Sequence, residues 1–251
     1  MEENRRREPE YGPDIKIKTP LMSKLENFWY YYKWHTIVAL FCIFVFLICT
    51  LQMCSKVPID AYIVYAGERE IGRTVDDGDI PEYNRLVSAL KEYVPDYNSD
   101  GETSVSLITL FALSEEEIKK YEGEVGKEIN YTLLREDAQT LGDRLHVGEY
   151  YIYLLSPDVY LKHRGEDDNL LFVPIAGYVN DGTEVDLYDE CAVKLSSTRL
   201  YRDSAAVREI LPEDTLLVMR RKSAVGGIFG GVDNDERFAR AEEILCKMLG
   251  E

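Results

Sequence analysis

The chain has 251 residues, with 46 acidic against 29 basic side chains and a formal charge of −17 at pH 7. Residues 1–36 hold seven Lys/Arg and six Asp/Glu and net +1, so the remainder nets −18. A segment that acidic repels nucleic acid and anionic headgroups, which excludes a nucleic-acid partner. From Val57 onward the 195 residues are enough for one sizeable core.

Residues 1–23 read as a polar, disordered cytoplasmic tail broken by Gly12-Pro13 and Pro20. Residues 24–56 read as an aromatic-belted transmembrane helix. Ile37 to Leu51 carries no charge, and the apolar run over 34–54 has 21 residues. At about 1.5 Å per residue it covers the ~30 Å hydrocarbon core of a lipid bilayer. Just before it, Phe28-Trp29-Tyr30-Tyr31-Tyr32-Lys33-Trp34 sets six aromatic rings and a lysine at headgroup depth. Helices buried in a soluble core carry no such belt. Lys16, Lys18, Lys24 and Lys33 precede the run, whereas Lys56 stands alone after it until Arg69. The positive-inside bias therefore predicts a single-pass protein of the cell membrane with a cytoplasmic N-terminus and an extracytoplasmic domain over 57–251. The long basic leader and the lack of a small-x-small site argue against a cleaved signal peptide. Gln52-Met53 argue against lipid attachment at Cys54.

In chain order, Ile59 to Tyr65 is a nearly unbroken apolar run, as a strand buried on both faces has. Gly67 to Gly78 is a polar connection. Asp79 with Glu82 predicts a capped helix over 80–94, ended by Pro95. A strand is predicted from Val105 to Leu113, then a short helix opened by the capping box Ser114/Glu117. Leu134, Ala138, Leu141 and Leu145 mark an amphipathic helix over 132–146 that stops near Gly148. Tyr150 to Leu155 is a strand, and Ser156-Pro157 opens a helical turn. Leu170 to Ala176 reads as a strand, Asn180-Asp181-Gly182 as a hairpin turn, and Asp203 as the cap of a helix over Ser204 to Leu211. Thr215 to Arg220 is a strand, Gly226 to Gly231 a loop with an apolar tip at Ile228-Phe229, and Asp233 with Glu236 caps a last helix with its apolar face at Phe238, Ala241, Leu245 and Met248. This alternation predicts an α/β class: a single N-terminal transmembrane helix followed by a largely parallel sheet flanked by helices.

The run Glu26-Asn27-Phe28-Trp29-Tyr30-Tyr31-Tyr32-Lys33-Trp34-His35-Thr36, with Asp96-Tyr97-Asn98-Ser99-Asp100-Gly101 and Leu211-Pro212-Glu213-Asp214-Thr215, resembles a family of uncharacterised single-pass membrane proteins of Gram-positive, clostridia-like bacteria. The resemblance covers most of the chain from residue 24 and implies the same topology. The order strand 59–65, helix 80–94, strand 105–113, helix 132–146, Gly148, strand 150–155 is also similar to the first lobe of bacterial solute-binding proteins. It departs where Tyr150-Tyr151 replaces the acidic pair usual in that family, and the chain is short for two lobes. The likeness implies a non-transporting relative.

Asp96-x-Asn98-x-Asp100-Gly101 matches the first half of an EF-hand calcium loop. Side-chain oxygens of Asp96, Asn98 and Asp100 with the Glu102 carbonyl would hold a structural calcium ion. Position 12 of such a loop is Leu107 and not Glu, and an Asx-rich turn from helix to strand explains the same residues. His35, His146 and His163 show no H-E-x-x-H spacing, and there is no G-x-S-x-G elbow or P-loop. His146 reads as a partner of a helix C-terminus. Cys42 and Cys49 are small hydrophobes in the membrane run, and Cys191 and Cys246 could pair outside the cell. No catalytic residue is named, so the chain reads as a binding or interaction domain on a membrane anchor. The alternatives are an assembly subunit with an envelope protein partner, or an enzyme. A deep cleft lined by Tyr62, Tyr65 or Tyr151 would point to a small ligand, and a flat exposed apolar patch to a protein partner.

Overall fold

The computed structural model describes residues 20–54, 59–72, 81–123, 129–166, 169–179, 185–223, 227 and 232–250. The chain divides into two units, Met1–Lys56 and Val57–Glu251. In the first, one helix, α1, runs from Pro20 to Cys54. Its start, four residues before the predicted boundary, fits Pro20 as a first-turn residue. Phe28–Thr50, 23 residues, is apolar and long enough to cross a membrane, as an anchor or a signal sequence would be. Its two threonine hydroxyls bond within the helix: Thr36 Oγ1 donates to the Tyr32 carbonyl at 3.0 Å and Thr50 Oγ1 to the Phe46 carbonyl at 2.8 Å.

The second unit is built on a six-stranded mixed sheet in the order β2-β1-β3-β6-β5-β4. The strands are β1 Ala61–Gly67, β2 Val105–Phe111, β3 Ile152–Leu155, β4 Leu187–Asp189, β5 Ala192–Lys194 and β6 Leu216–Met219. The helices are α2 Pro81–Lys91, α3 Glu115–Gly123, α4 Tyr131–Val147, α5 Pro157–His163, α6 Arg199–Asp203, α7 Ala205–Ile210 and α8 Asn234–Leu249. Pairing is parallel for β1 with β2 and β3, and antiparallel for β3–β6, β6–β5 and β5–β4. The parallel expectation therefore holds for the first three strands, which helical crossovers connect. The other three pairs are antiparallel; for β4 and β5 the cause is local, since only Glu190-Cys191 separates them and so short a link permits only an antiparallel pair.

Alternate residues of the central strands feed two cores. Ile63, Tyr65, Ile152, Leu154, Leu217 and Met219 face α2, α6, α7 and α8, packing on Leu86, Leu90, Leu200, Val207, Leu245 and Met248. Val64, Ala66, Tyr153, Leu155, Leu216 and Val218 face α4 and α5, packing on Leu141, Leu145, Val159, Tyr160 and Phe172. This three-layer arrangement accounts for the continuous apolar runs of β1, β3 and β6.

Several local expectations change. Residues 170–176 form no strand. Phe172 makes a single bridge to Arg220, and a 3-10 turn follows at Ile175–Tyr178, because Pro174 has no N–H for a ladder. Strands β4 and β5 were not foreseen. Asp203 does not cap α7: it ends α6, paired with Arg199 at 2.9 Å, while Ser204 Oγ accepts the Val207 N–H at 3.2 Å. Cys191 and Cys246 form no disulfide, since Cys191 belongs to the α4/α5 side of the sheet and Cys246 to α8 on the other. Burial pushes the Cys191 thiol up to about 11. The cap at Asp79, the turn at 180–182 and the apolar tip 228–229 lie outside the described residues.

Candidate binding site

The loop carrying Asp96, Asn98, Asp100 and Glu102 follows α2 and enters β2, and its side chains turn back on its own backbone. Asp96 Oδ2 accepts the Gly101 N–H at 2.8 Å, Asn98 Oδ1 the Asp100 N–H at 2.8 Å, and Asp100 Oδ1 the Glu102 N–H at 2.9 Å. The last two are Asx turns and the first closes the loop across five residues, with Ser99 and Gly101 at positive φ, 57° and 89°. Asp96 Oδ1 is buried and meets no donor among the described residues. Also among the described residues, no three His, Cys, Asp or Glu side chains stand close enough to hold a metal ion.

What holds the loop in place is a residue that no motif singles out. Asp60, 6 % exposed at the start of β1, accepts N–H bonds from Tyr97 and Asn98 on Oδ1, at 3.0 and 3.3 Å. Its Oδ2 accepts the Ser104 N–H at 2.8 Å and the Ser104 hydroxyl at 3.3 Å. The only hint was a lone acid inside an apolar strand.

Tyr62 and Tyr151 do line a cleft, with Tyr150, Asp60, Arg237 and Arg240, at the end of the sheet where β1 and β3 begin. Tyr62 and Tyr150 rings lie 5.2 Å apart, and burial raises the Tyr62 phenol above its ordinary value. The Tyr151 hydroxyl is occupied by Asn234, and Arg237 donates to the Glu149 carbonyl at 2.7 Å. Its volume, about 70 Å³, falls below the roughly 300–1,000 Å³ of small-molecule sites. Tyr65 is elsewhere, buried under α2 with its hydroxyl accepting the Arg69 N–H at 3.3 Å.

A larger groove, about 690 Å³, opens at the other end of the sheet, past the C-terminal ends of the parallel strands β2 and β3. Open parallel sheets place ligands at that end. Leu113 and Ile118 form one side, Tyr131, Leu134, Ala138 and Leu141 of α4 another, and Val159 of α5 a third. Glu115, Arg135, Asp158 and Lys162 bring charge to it, with His163 beside them. Burial, then Lys162, holds the His163 imidazole below its ordinary value.

The local sequence explains the groove. Asn130 Oδ1 accepts the Leu133 N–H at 3.0 Å and starts α4, and Gly148 in the left-handed region ends it. The apolar stripe recognised on that helix is longer than its cover. Leu141 and Leu145 are buried, while Leu134 is half-buried and Ala138 exposed. Helix α3, which flanks the uncovered half, buries none of its residues. It is held by the Ser114/Glu117 capping box, at 2.6 and 3.2 Å, and by a hydrogen bond from the Tyr131 hydroxyl to Glu122.

The chain matches no family model, no curated protein and no solved structure. Its chemistry is therefore read from these three places alone. The loop is a braced turn, the tyrosine cleft is narrow and occupied by its own side chains, and the groove has ligand-sized volume, apolar walls and a few charges.

Proposed function

We propose that this chain is a membrane-anchored, extracytoplasmic binding domain whose ligand site is the groove between α3, α4 and α5. The observation that carries this reading is the uncovered half of the α4 stripe, which lines about 690 Å³ beside the C-terminal ends of two parallel strands. The anchor and orientation rest on the apolar length of Phe28–Thr50 and on the lysines preceding it. Resemblance to single-pass proteins of Gram-positive bacteria supports the same topology.

Two measurements test it. Full-length protein in lipid nanodiscs is melted with fatty acids, acylated amino acids and short peptides, beside an Ala138→Trp variant. Ala138 is exposed, so the indole fills the groove without disturbing the core. At least one ligand class should raise the melting temperature of the wild type and leave the variant unmoved; a flat response to all of them refutes the site. In the second, protease added to intact spheroplasts should digest the domain and spare a tag at residue 1. A protected C-terminus refutes the orientation.

A second reading, docking of an envelope protein, draws on β4. Leu187 and Tyr188 of that outermost strand are 42 % and 38 % exposed, an adjacent apolar pair of the kind found at interfaces. Cross-linking at position 188 in native membranes, giving one discrete adduct, would favour it.

A further inference from the structure

We infer that the ligand of the α3/α4/α5 groove is a zwitterion with an apolar body, of the size and charge spacing of a short apolar peptide. The inference rests on the binding reading above and assigns its chemistry.

Two acids and two strong bases line the groove, and they balance: Glu115 and Asp158 against Arg135 and Lys162. In a domain that nets −19, such an even count is uncommon. All four are exposed. Among the described residues none of them is ion-paired, whereas elsewhere Arg85, Arg164, Lys194, Arg199, Lys222, Arg240 and Lys247 each hold a carboxylate. Opposite charges thus face one groove while staying apart.

That separation selects the ligand's charge. A simple anion would meet Arg135 and Lys162 but be opposed by Glu115 and Asp158, and a simple cation would meet the reverse. A molecule with both charges satisfies both pairs, and electrostatic matching of this kind chooses between ligands more than it adds affinity. Its length follows from α5. Asp158 and Lys162 are one turn apart on the same face, a spacing of about 6 Å. Two extended residues span at most about 7 Å, so the amino and carboxylate ends of a dipeptide reach the two side chains. Between them, Ile118, Leu134, Ala138 and Val159 offer surface for apolar side chains. His163, beside Lys162 in the groove lining, adds a hydrogen-bonding imidazole at that end.

The experiment titrates full-length protein in nanodiscs with four forms of one peptide: Leu-Leu, N-acetyl-Leu-Leu, Leu-Leu-amide and N-acetyl-Leu-Leu-amide. Binding heat is read by calorimetry. Leu-Leu should bind best, and each single cap should weaken it about tenfold. Lys162→Gln should erase the preference for the free carboxylate and keep that for the free amine. Asp158→Asn should do the opposite. Both positions are exposed, so neither variant threatens the fold. If the doubly capped peptide binds as well as Leu-Leu and Ala138→Trp blocks it, the groove is a binding site and the zwitterion inference is overturned. If none of the four binds, the inference falls; the broader reading falls with it only if the wider ligand panel is also without effect.

Discussion

Arg220 is 6 % exposed and faces carbonyls. Its Nε donates to Leu145 at 2.6 Å, Nη2 to His146 at 3.3 Å and Nη1 to Arg221 at 2.7 Å. The first two belong to the last turn of α4, where partial negative charge and unsatisfied oxygens collect. The role the sequence suggested for the His146 side chain is filled by an arginine 74 residues away. Gly148 completes the cap at φ 74°, and a Cβ there would lie 2.5 Å from Arg220 Nη1. Arg220→Met should cost about 2–4 kcal/mol by leaving buried carbonyls without donors. Gly148→Ala should cost about 1–3 kcal/mol or more from left-handed strain and that collision. Urea melts of both singles and the double should give less than the sum, because the methionine can yield; strict additivity would show that the two do not share one cap. The Asp96–Glu102 turn gives a second comparison. Asp60→Ala removes the acceptor of four contacts at a buried site and should cost about 2–4 kcal/mol. Asp100→Ala removes one exposed Asx bond and should cost under about 1 kcal/mol. Because three loop oxygens already hold N–H groups and calcium wants six to eight oxygens, millimolar calcium should leave the wild-type melt unchanged. A calcium-dependent rise lost in Asp96→Ala would show that the ion binds there.

At the scale of elements, what could be read early was whatever local chemistry decides. The Ser114/Glu117 box, Gly148 as a helix stop and the apolar runs of β1, β3 and β6 all appear where their residues put them. Elements whose local signals are weak or in competition are harder to read. Leu187-Tyr188-Asp189 alternates poorly and becomes a strand because β5 is there to pair with it. Residues 170–176 look apolar enough for a strand, but Pro174 prevents it. Asp203 and Ser204 are both good caps, and a break between two short helices decided in favour of serine. The groove was half legible: the α4 stripe was visible, but not that α3 would leave its upper part uncovered. Helix α3, with no buried side chain, should be the least protected helix of the domain in hydrogen exchange. Its amides should exchange far faster than those of α4. Ser114→Ala should speed them further while leaving the global melt in place, since the capping box holds α3 and nothing beneath it. Protection equal to that of β1 would show that α3 is packed into the core and is not a movable wall of the groove.

At the scale of the molecule, Val57–Glu251 has what an independent domain requires. Helices cover both faces of its sheet, and each face has its own core. Its long outer strand is guarded. On β2, the Tyr83 hydroxyl donates to the Leu107 carbonyl at 2.9 Å and buried Asp137 accepts the Phe111 N–H at 2.8 Å. A foreign strand would have to displace both, which is how an edge is kept from pairing with other chains. The domain's net charge of −19 adds mutual repulsion between copies. Residues 57–251 expressed alone should therefore be soluble without detergent, with sharp tertiary signals and one cooperative urea transition. The midpoint should equal that of the full-length protein in nanodiscs, because α1 is a separate unit that supplies neither core. A soluble but molten domain, or a midpoint raised by α1, would show that α1 contributes to the fold. A variant with Asp137→Ala and Tyr83→Phe would then separate the causes. If it aggregates while the parent stays monomeric, the edge caps keep the domain apart from its copies, and net charge alone does not.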